Sequence, residues 1–174
     1  LAYWKTLNTD RDAKFDKEIF IKAENIEPMI TYGTNPGMGI SVTGHVPAIT
    51  EVNEKEQASF TKSLQYMGLE AGDNIKGKKV DYVFIGSCTN GRIEDMRATA
   101  AILRGRKVAP GVVLKIVPAT DAIWNQCLDE GLIDVFKSSG ALVSNAGCAG
   151  CAAGQVGQNG KGEVTVSTGN HNFP

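Results

Sequence analysis

Hydrophobic and polar positions follow two regimes along the chain. Up to about residue 50 the pattern is irregular. Residues 18–23 (EIFIKA) read as a strand, and a stretch rich in Pro, Gly, Asn and Thr follows through Gly37. Over 51–67 the period becomes helical, with Phe60, Leu64 and Met67 on one face at i, i+4 and i+7. Gly68 and Gly72 bracket the end of that helix. From Val80 onward strand and helix alternate. Residues 80–85 predict a strand, and 93–103 a helix with Met96, Ala100 and Leu103 inward. Residues 112–117 are nearly all apolar, as in a buried parallel strand. Short helices are predicted over 121–129 and 133–138, and further strands over 141–143 and 163–166. Repeated strand–helix units predict an α/β fold with a mostly parallel sheet and flanking helices. The organisation expected is a lead-in segment over 1–70 and an α/β domain over 71–174.

Composition narrows the class. The chain has 174 residues, enough for a sizeable core; 42% are hydrophobic and 21% charged, ordinary values for a soluble globular protein. A formal net charge of -1 leaves no electrostatic footprint for nucleic acid or an acidic membrane. No apolar run approaches the roughly 20 residues that span a bilayer. Glycine is thickest between Gly140 and Gly169, where it serves loops or close backbone approach to a ligand. Four cysteines, two of them in a CxxC, do not form the pattern of a secreted disulfide framework, so a reducing, cytoplasmic compartment is expected. The chain opens at Leu1 and stops at Pro174, after the polar run Ser167-Thr168-Gly169-Asn170-His171-Asn172, and is expected to be a fragment of a longer polypeptide.

The chemistry concentrates on three cysteines. Cys88 lies in Gly86-Ser87-Cys88-Thr89-Asn90-Gly91, just past one predicted strand, and Cys148 and Cys151 lie in Gly147-Cys148-Ala149-Gly150-Cys151, just past another. Open α/β sheets collect ligands at the carboxyl ends of their strands, so the two segments are expected to converge. Helices starting near Arg92 and Cys151 would turn their N-termini toward that site and favour thiolates. Three thiolates without a fourth suit a metal centre that keeps one position open. The CxxC by itself also fits a redox pair, half a zinc site or two plain thiols; zinc would need His45 or His171 as a fourth ligand. Cys127 shares a helical face with Ile123 and Trp124 and reads as a packed core thiol. Arg97, Arg104 and Arg106 read as a solvated helix face, whereas Arg92 is close enough to Cys88 to contact a ligand. Asn90 and Asn170 either donate to a sulfur or carboxylate or cap a turn, and 34–37 reads as a turn.

The run Val83-Phe84-Ile85-Gly86-Ser87-Cys88-Thr89-Asn90-Gly91-Arg92, the later Gly147-Cys148-Ala149-Gly150-Cys151 and the closing Ser167-Thr168-Gly169-Asn170-His171-Asn172-Phe173 together resemble the aconitase superfamily of iron–sulfur hydro-lyases. Segments 27–37 and 105–112 are similar to the branch that isomerises 2-isopropylmalate to 3-isopropylmalate in leucine biosynthesis. The resemblance implies a three-layer α/β cluster-binding domain from the C-terminal part of a large subunit, truncated at its own C-terminal end. It implies that Cys88, Cys148 and Cys151 hold three irons of a [4Fe–4S] cluster, the fourth iron staying open for a 2-hydroxy dicarboxylate substrate. Ser87, Asn90, Arg92, Asn170 and His171 would form the substrate and cluster environment. The catalytic base would be absent from this chain and carried by a separate small subunit with a swivelling domain, leaving the fragment alone inactive. Two departures stand out. His171 takes the place of an arginine associated with the active site, and Gly150 and Ala152 stand where larger apolar residues are commoner. The alternatives are an aconitase- or homoaconitase-like hydratase of another 2-hydroxy polycarboxylate and, from a different class, a non-catalytic zinc- or RNA-binding module.

Overall fold

The computed structural model of the protein describes residues 1–148, 150 and 159–169. The apolar alternation from Tyr82 onward builds a parallel sheet. Strands β3 (Tyr82–Gly86) and β4 (Val113–Val117) pair in register from Tyr82↔Val113 to Gly86↔Val117. Strand β5 (Leu142–Val143) adds to the free edge of β4, and β6 (Thr165–Ser167) to that of β3, giving the order β5-β4-β3-β6 with every pair parallel. The short hairpin ahead of them pairs β1 (Met29–Thr31) with β2 (Gly39–Ser41), antiparallel.

Helices α2 (Ile93–Leu103), α3 (Asp121–Asp129) and α4 (Leu132–Ser139) match the predicted spans to within one residue. They share one core with alternate residues of the sheet: Met96 and Ala100, Cys127, and Leu132, Ile133 and Phe136 meet Leu114 and Ile116, with Val83 and Ile85 packed against them. Leu114 and Ile116 are two apart, so the pleat sends both to the same face. Local chemistry sets the helix ends. The Thr120 hydroxyl accepts from the Ile123 amide at 3.3 Å at the start of α3, and Asp95 accepts from the Arg92 amide at 3.0 Å at the start of α2. Gly140 closes α4 at φ +92°, a conformation that an L side chain resists. Arg97 on α2 grips Glu130 just past α3 with Nε and Nη2 at 2.8 and 2.6 Å, a two-pronged pair linking the helices.

The opposite face of the sheet carries Phe84 and Val117, both buried, and a layered polar contact. Lys115 Nζ sits 4.2 Å above the Tyr82 ring, whose hydroxyl donates to Glu163 at 3.2 Å. Strand β6 starts two residues later than predicted. Val164 is nonetheless tied into the sheet: its carbonyl accepts from Asp81 and Tyr82, and its amide donates to Asp81 Oδ2 at 3.0 Å.

The lead-in region departs from its sequence pattern in three ways. The strand predicted over 18–23 does not form. Ile19, Phe20 and Ile21 are 70%, 98% and 70% exposed, and no neighbouring strand among the described residues pairs with them. Extended backbone without a ladder partner has nowhere to place its amides but water. The turn read over 34–37 is present, but it joins two strands that the sequence did not predict, β1 and β2, and the hairpin is closed by the Tyr32 amide on the Met38 carbonyl at 2.9 Å. Helix α1 runs Gln57–Met67 rather than from residue 51. Asn53 Oδ1 accepts from the Lys55 amide at 3.1 Å, and the Gln57 side chain donates to the Ile49 and Val52 carbonyls. Side chains thus hold 49–55 in turns until the helix begins. Of the apolar face predicted for α1, Phe60 and Leu64 join Tyr32, Met38 and Val46 in a second core, whereas Met67 is half-buried outside it, and Gly68 ends the helix at φ +64°.

Two outcomes test this packing. Phe136→Ala is expected to lower the unfolding free energy by about 3–5 kcal/mol, because a fully buried ring at the centre of the main core leaves a cavity; urea denaturation measures it. The Arg97 guanidinium, with a lesser contribution from Gln126, holds the Glu130 carboxyl below its ordinary range. A carboxylate with a lowered folded-state pKa stabilises fully above its unfolded value and loses that contribution as pH falls through the folded one. Stability measured between about pH 5 and pH 3 should therefore fall less steeply in Glu130→Gln than in the unsubstituted chain.

Candidate metal centre

Where the strands end, four chain segments come together: the turns after β3 and β5 both bond to residues 116–119 at the end of β4, and the chain after β6 bonds to β3 and its turn. The Ser87 amide donates to the Val117 carbonyl at 3.2 Å, and the Ala119 amide to the Gly91 carbonyl at 2.9 Å. From the other side, Ser144 donates to the Ile116 carbonyl at 3.0 Å and Gly147 to that of Pro118 at 3.1 Å. The turn carrying Cys88 and the turn carrying Cys148 therefore flank the same crossing at the carboxyl end of the sheet, as expected for this fold class. The fourth segment arrives from β6: Thr168 donates its amide to the Phe84 carbonyl and accepts from the Gly86 amide through Oγ1, both at 3.0 Å.

Close approach is possible because two glycines line the crossing. A Cβ at Gly86 would stand 1.9 Å from the Val117 carbonyl oxygen, and one at Gly91 2.6 Å from the same atom. Gly86 has φ +114°, and Ser87 after it shares that value as a residue with a side chain. The buried Ser87 hydroxyl faces the amides of Thr89 and Asn90, each at 3.4 Å, and so supports the turn from inside. The result lifts Cys88 off the end of β3 as an exposed free thiol, its Sγ 3.7 Å from the Thr89 hydroxyl.

The residues singled out from sequence fall into distinct roles. Ser87 shapes the turn from a buried position. Asn90 directs its side-chain amide to the Thr168 carbonyl, so it braces two segments against each other. Arg92 is the exposed residue that opens α2, one turn of chain beyond Cys88. Cys148 is half-buried next to Gly147 and is disulfide-bonded, so reduction must precede any ligation by it. Cys151, Asn170 and His171 lie outside the described residues. Cys127 sits in the main core away from the crossing; burial, and then the charge of Glu130, push its thiol pKa up, which keeps it a protonated hydrophobe. Gly150 rests near the Phe84 ring edge, where an added Cβ would make only an ordinary 3.9 Å contact, so the small residue is not forced there by space.

The donor set fits a thiophilic metal group. Two of the three expected cysteine ligands, Cys88 and Cys148, are carried on turns that flank one backbone crossing, and the exposed Cys88 leaves room for an inorganic partner. Residues missed by the sequence reading are those that hold the ligand turns. Trp124 donates its indole N–H to the Ser144 carbonyl at 3.2 Å and so anchors the approach to Cys148; Thr168 anchors the Cys88 turn. Trp124 reads as a core residue by periodicity, and its polar edge was the available signal.

Comparison with known proteins fits this geometry. The model of the aconitase family (aconitate hydratase) matches residues 1–174. The 3-isopropylmalate dehydratase large subunit of Flavobacterium johnsoniae is 51% identical over 173 residues, covering 99% of this chain and 37% of that protein. Those of Bacteroides fragilis and Cytophaga hutchinsonii are 48% and 46% identical over the same share of each chain. This chain thus spans 37% of the length of these curated relatives.

Gly86→Ala should cost on the order of 3 kcal/mol or more, because the methyl group meets backbone that cannot retreat without breaking the β3–β4 ladder. Gly105→Ala is the control. Its φ is +73°, but nothing lies within 4 Å of the added atom, so it should cost only the left-handed backbone penalty of about 1–2 kcal/mol. Denaturant titrations of the two variants side by side separate collision from conformational strain.

Proposed function

The chain belongs to the aconitase family, and from that premise we propose that it is the cluster-bearing part of a hydro-lyase acting on a 2-hydroxy dicarboxylate. The observation that carries this is the convergence of the Cys88 and Cys148 turns on Val117-Pro118-Ala119 at the carboxyl end of a parallel sheet. The reaction is loss of water from the hydroxy acid and its return with hydrogen and hydroxyl exchanged between neighbouring carbons. Our reading takes 2-isopropylmalate to 3-isopropylmalate, in leucine biosynthesis, because the curated relatives carry the name 3-isopropylmalate dehydratase large subunit. No electrons are gained or lost across that sequence.

Cys88, Cys148 and Cys151 would hold a [4Fe–4S] group as three thiolates. When bound, that group supplies an iron with an open position, a Lewis acid for the carbon–oxygen bond. The remaining work falls to this chain's own residues. Ser87 and the Thr168–Asn90 brace fix where Cys88 points. Arg92 offers an exposed cation beside the opening, suited to a substrate carboxylate, at the amino end of α2 where the helix dipole also favours an anion. Asn170 and His171 belong to the same environment in our reading, with His171 supplying fewer donors than an arginine would. Proton removal from the carbon requires a base, which we assign to a swivelling domain on a separate small subunit, in line with the large-subunit name of the relatives. On this reading the chain by itself binds the cluster but does not turn over substrate. We place the boundary of the cluster-binding domain at residue 71 and the enzyme in the cytoplasm; among the described residues no helix is long and apolar enough to cross a membrane.

Anaerobic reconstitution of the reduced chain with iron and sulfide tests the proposal. Uptake of about four irons and four sulfides per chain, with a three-iron EPR signal on mild oxidation, is expected. Cys88→Ser should lower the retained iron sharply, while Cys127→Ala should leave it unchanged. Binding of a single zinc without sulfide, at the same cysteines, would replace the hydro-lyase reading with a structural zinc site.

A further inference from the structure

We infer that Thr168, which no reading of the sequence singled out, is the positioning residue that fixes the Cys88 turn relative to the segment leading into Asn170 and His171; the inference rests on the cluster-binding role proposed above. The argument starts from the backbone. Gly86 and Ser87 are consecutive residues at φ +114°, and that geometry needs outside support to persist. Of the hydrogen bonds that supply it, the Ser87 amide uses the Val117 carbonyl, and two others end on Thr168.

Thr168 spends each of its polar groups on β3 or on the turn that follows. Its amide donates to Phe84, which carries the β6 pairing one residue past Ser167. Its hydroxyl accepts from the buried Gly86 amide at 3.0 Å, and its carbonyl accepts from the Asn90 side chain. Beyond it the chain turns at once, with the Gly169 amide on the Ser167 hydroxyl at 2.8 Å. One residue therefore grips the cysteine turn at both ends, at Gly86 and at Asn90, while its own backbone sets the direction in which the chain leaves β6. Asn90 takes part as the second half of this clamp, which is why its amide points to protein rather than outward. The requirement is for an acceptor of threonine's reach. Serine provides it, whereas valine keeps the shape and removes the oxygen, leaving a buried N–H without its partner.

The test compares Thr168→Val and Thr168→Ser with the unsubstituted chain by two readouts. Amide hydrogen exchange, followed residue by residue, reports the clamp without any cluster. Gly86 should exchange about tenfold faster in Thr168→Val, amides of the main core such as Ile116 should not change, and Thr168→Ser should match the unsubstituted chain. After anaerobic reconstitution, the lifetime of the cluster absorbance on exposure to air should fall several-fold in Thr168→Val and recover in Thr168→Ser. Unchanged Gly86 exchange in Thr168→Val overturns the clamp, and so does a serine variant that behaves like valine. Faster Gly86 exchange with an unchanged cluster lifetime overturns the positioning role. If the unsubstituted chain takes up no cluster, the cluster-binding proposal falls, and Gly86 exchange still decides whether Thr168 holds the turn.

Discussion

The contact on which the rest of the structure depends is the passage of the Cys88 turn across the Val117 carbonyl. Two strands of a parallel sheet normally separate once their ladder ends, because their connections leave in different directions. Here they stay together for several residues more. Gly86 and Gly91 present no side chain to the crossing, so the backbone of one segment lies against the carbonyl of the other at a distance that any Cβ would violate. The hydrogen bonds of Ser87 and Ala119 then turn close approach into fixed geometry. Without the two glycines the Cys88 and Cys148 turns would have no shared reference point.

Rigidity at this crossing comes from beneath it. Ile116 and Val117 are fully buried, and Pro118 after them is buried as well. The strand thus reaches the site as part of a packed interior, with α2, α3 and α4 pressing on one face and Phe84 joining Val117 on the other. Dense packing resists small displacements, so a turn tied to this strand inherits its stiffness. Trp124 extends the effect to the third segment: its ring edge lies at the core, and its indole nitrogen holds the carbonyl of Ser144, four residues before Cys148.

What could be read from sequence follows the range over which each constraint acts. The helices over 93–103 and 121–129 depend on local period and caps, and the structure returns those bounds. The parallel sheet was legible because apolar runs such as Val113–Val117 have few other destinations. Residues 18–23 show the opposite case. Their composition favours a strand, but a strand exists only through a partner, and none of the described residues supplies one. In the candidate site, the cysteine turns announced themselves by residue type, whereas Thr168 did not. A lone threonine beside Ser167 and Gly169 looks like any polar loop residue until β6 is seen to lie alongside β3.

These observations assign the stiff and the reactive parts of the site to different atoms. What is fixed here is chiefly backbone, carbonyls of Phe84, Ile116, Val117, Pro118 and Thr168 and the amides that reach them, with the Thr168 hydroxyl and the Asn90 side-chain amide closing the frame. The Cys88 and Arg92 side chains stay exposed beside it. A centre that binds a metal group and still admits substrate needs both properties, since a loosely held thiolate would lose the group and a buried one would exclude the reactant. Building the frame from main-chain hydrogen bonds leaves the side chains above it available for chemistry. Such a frame is also insensitive to titration, because peptide groups, a threonine hydroxyl and an asparagine amide carry no proton to lose between pH 4 and 9.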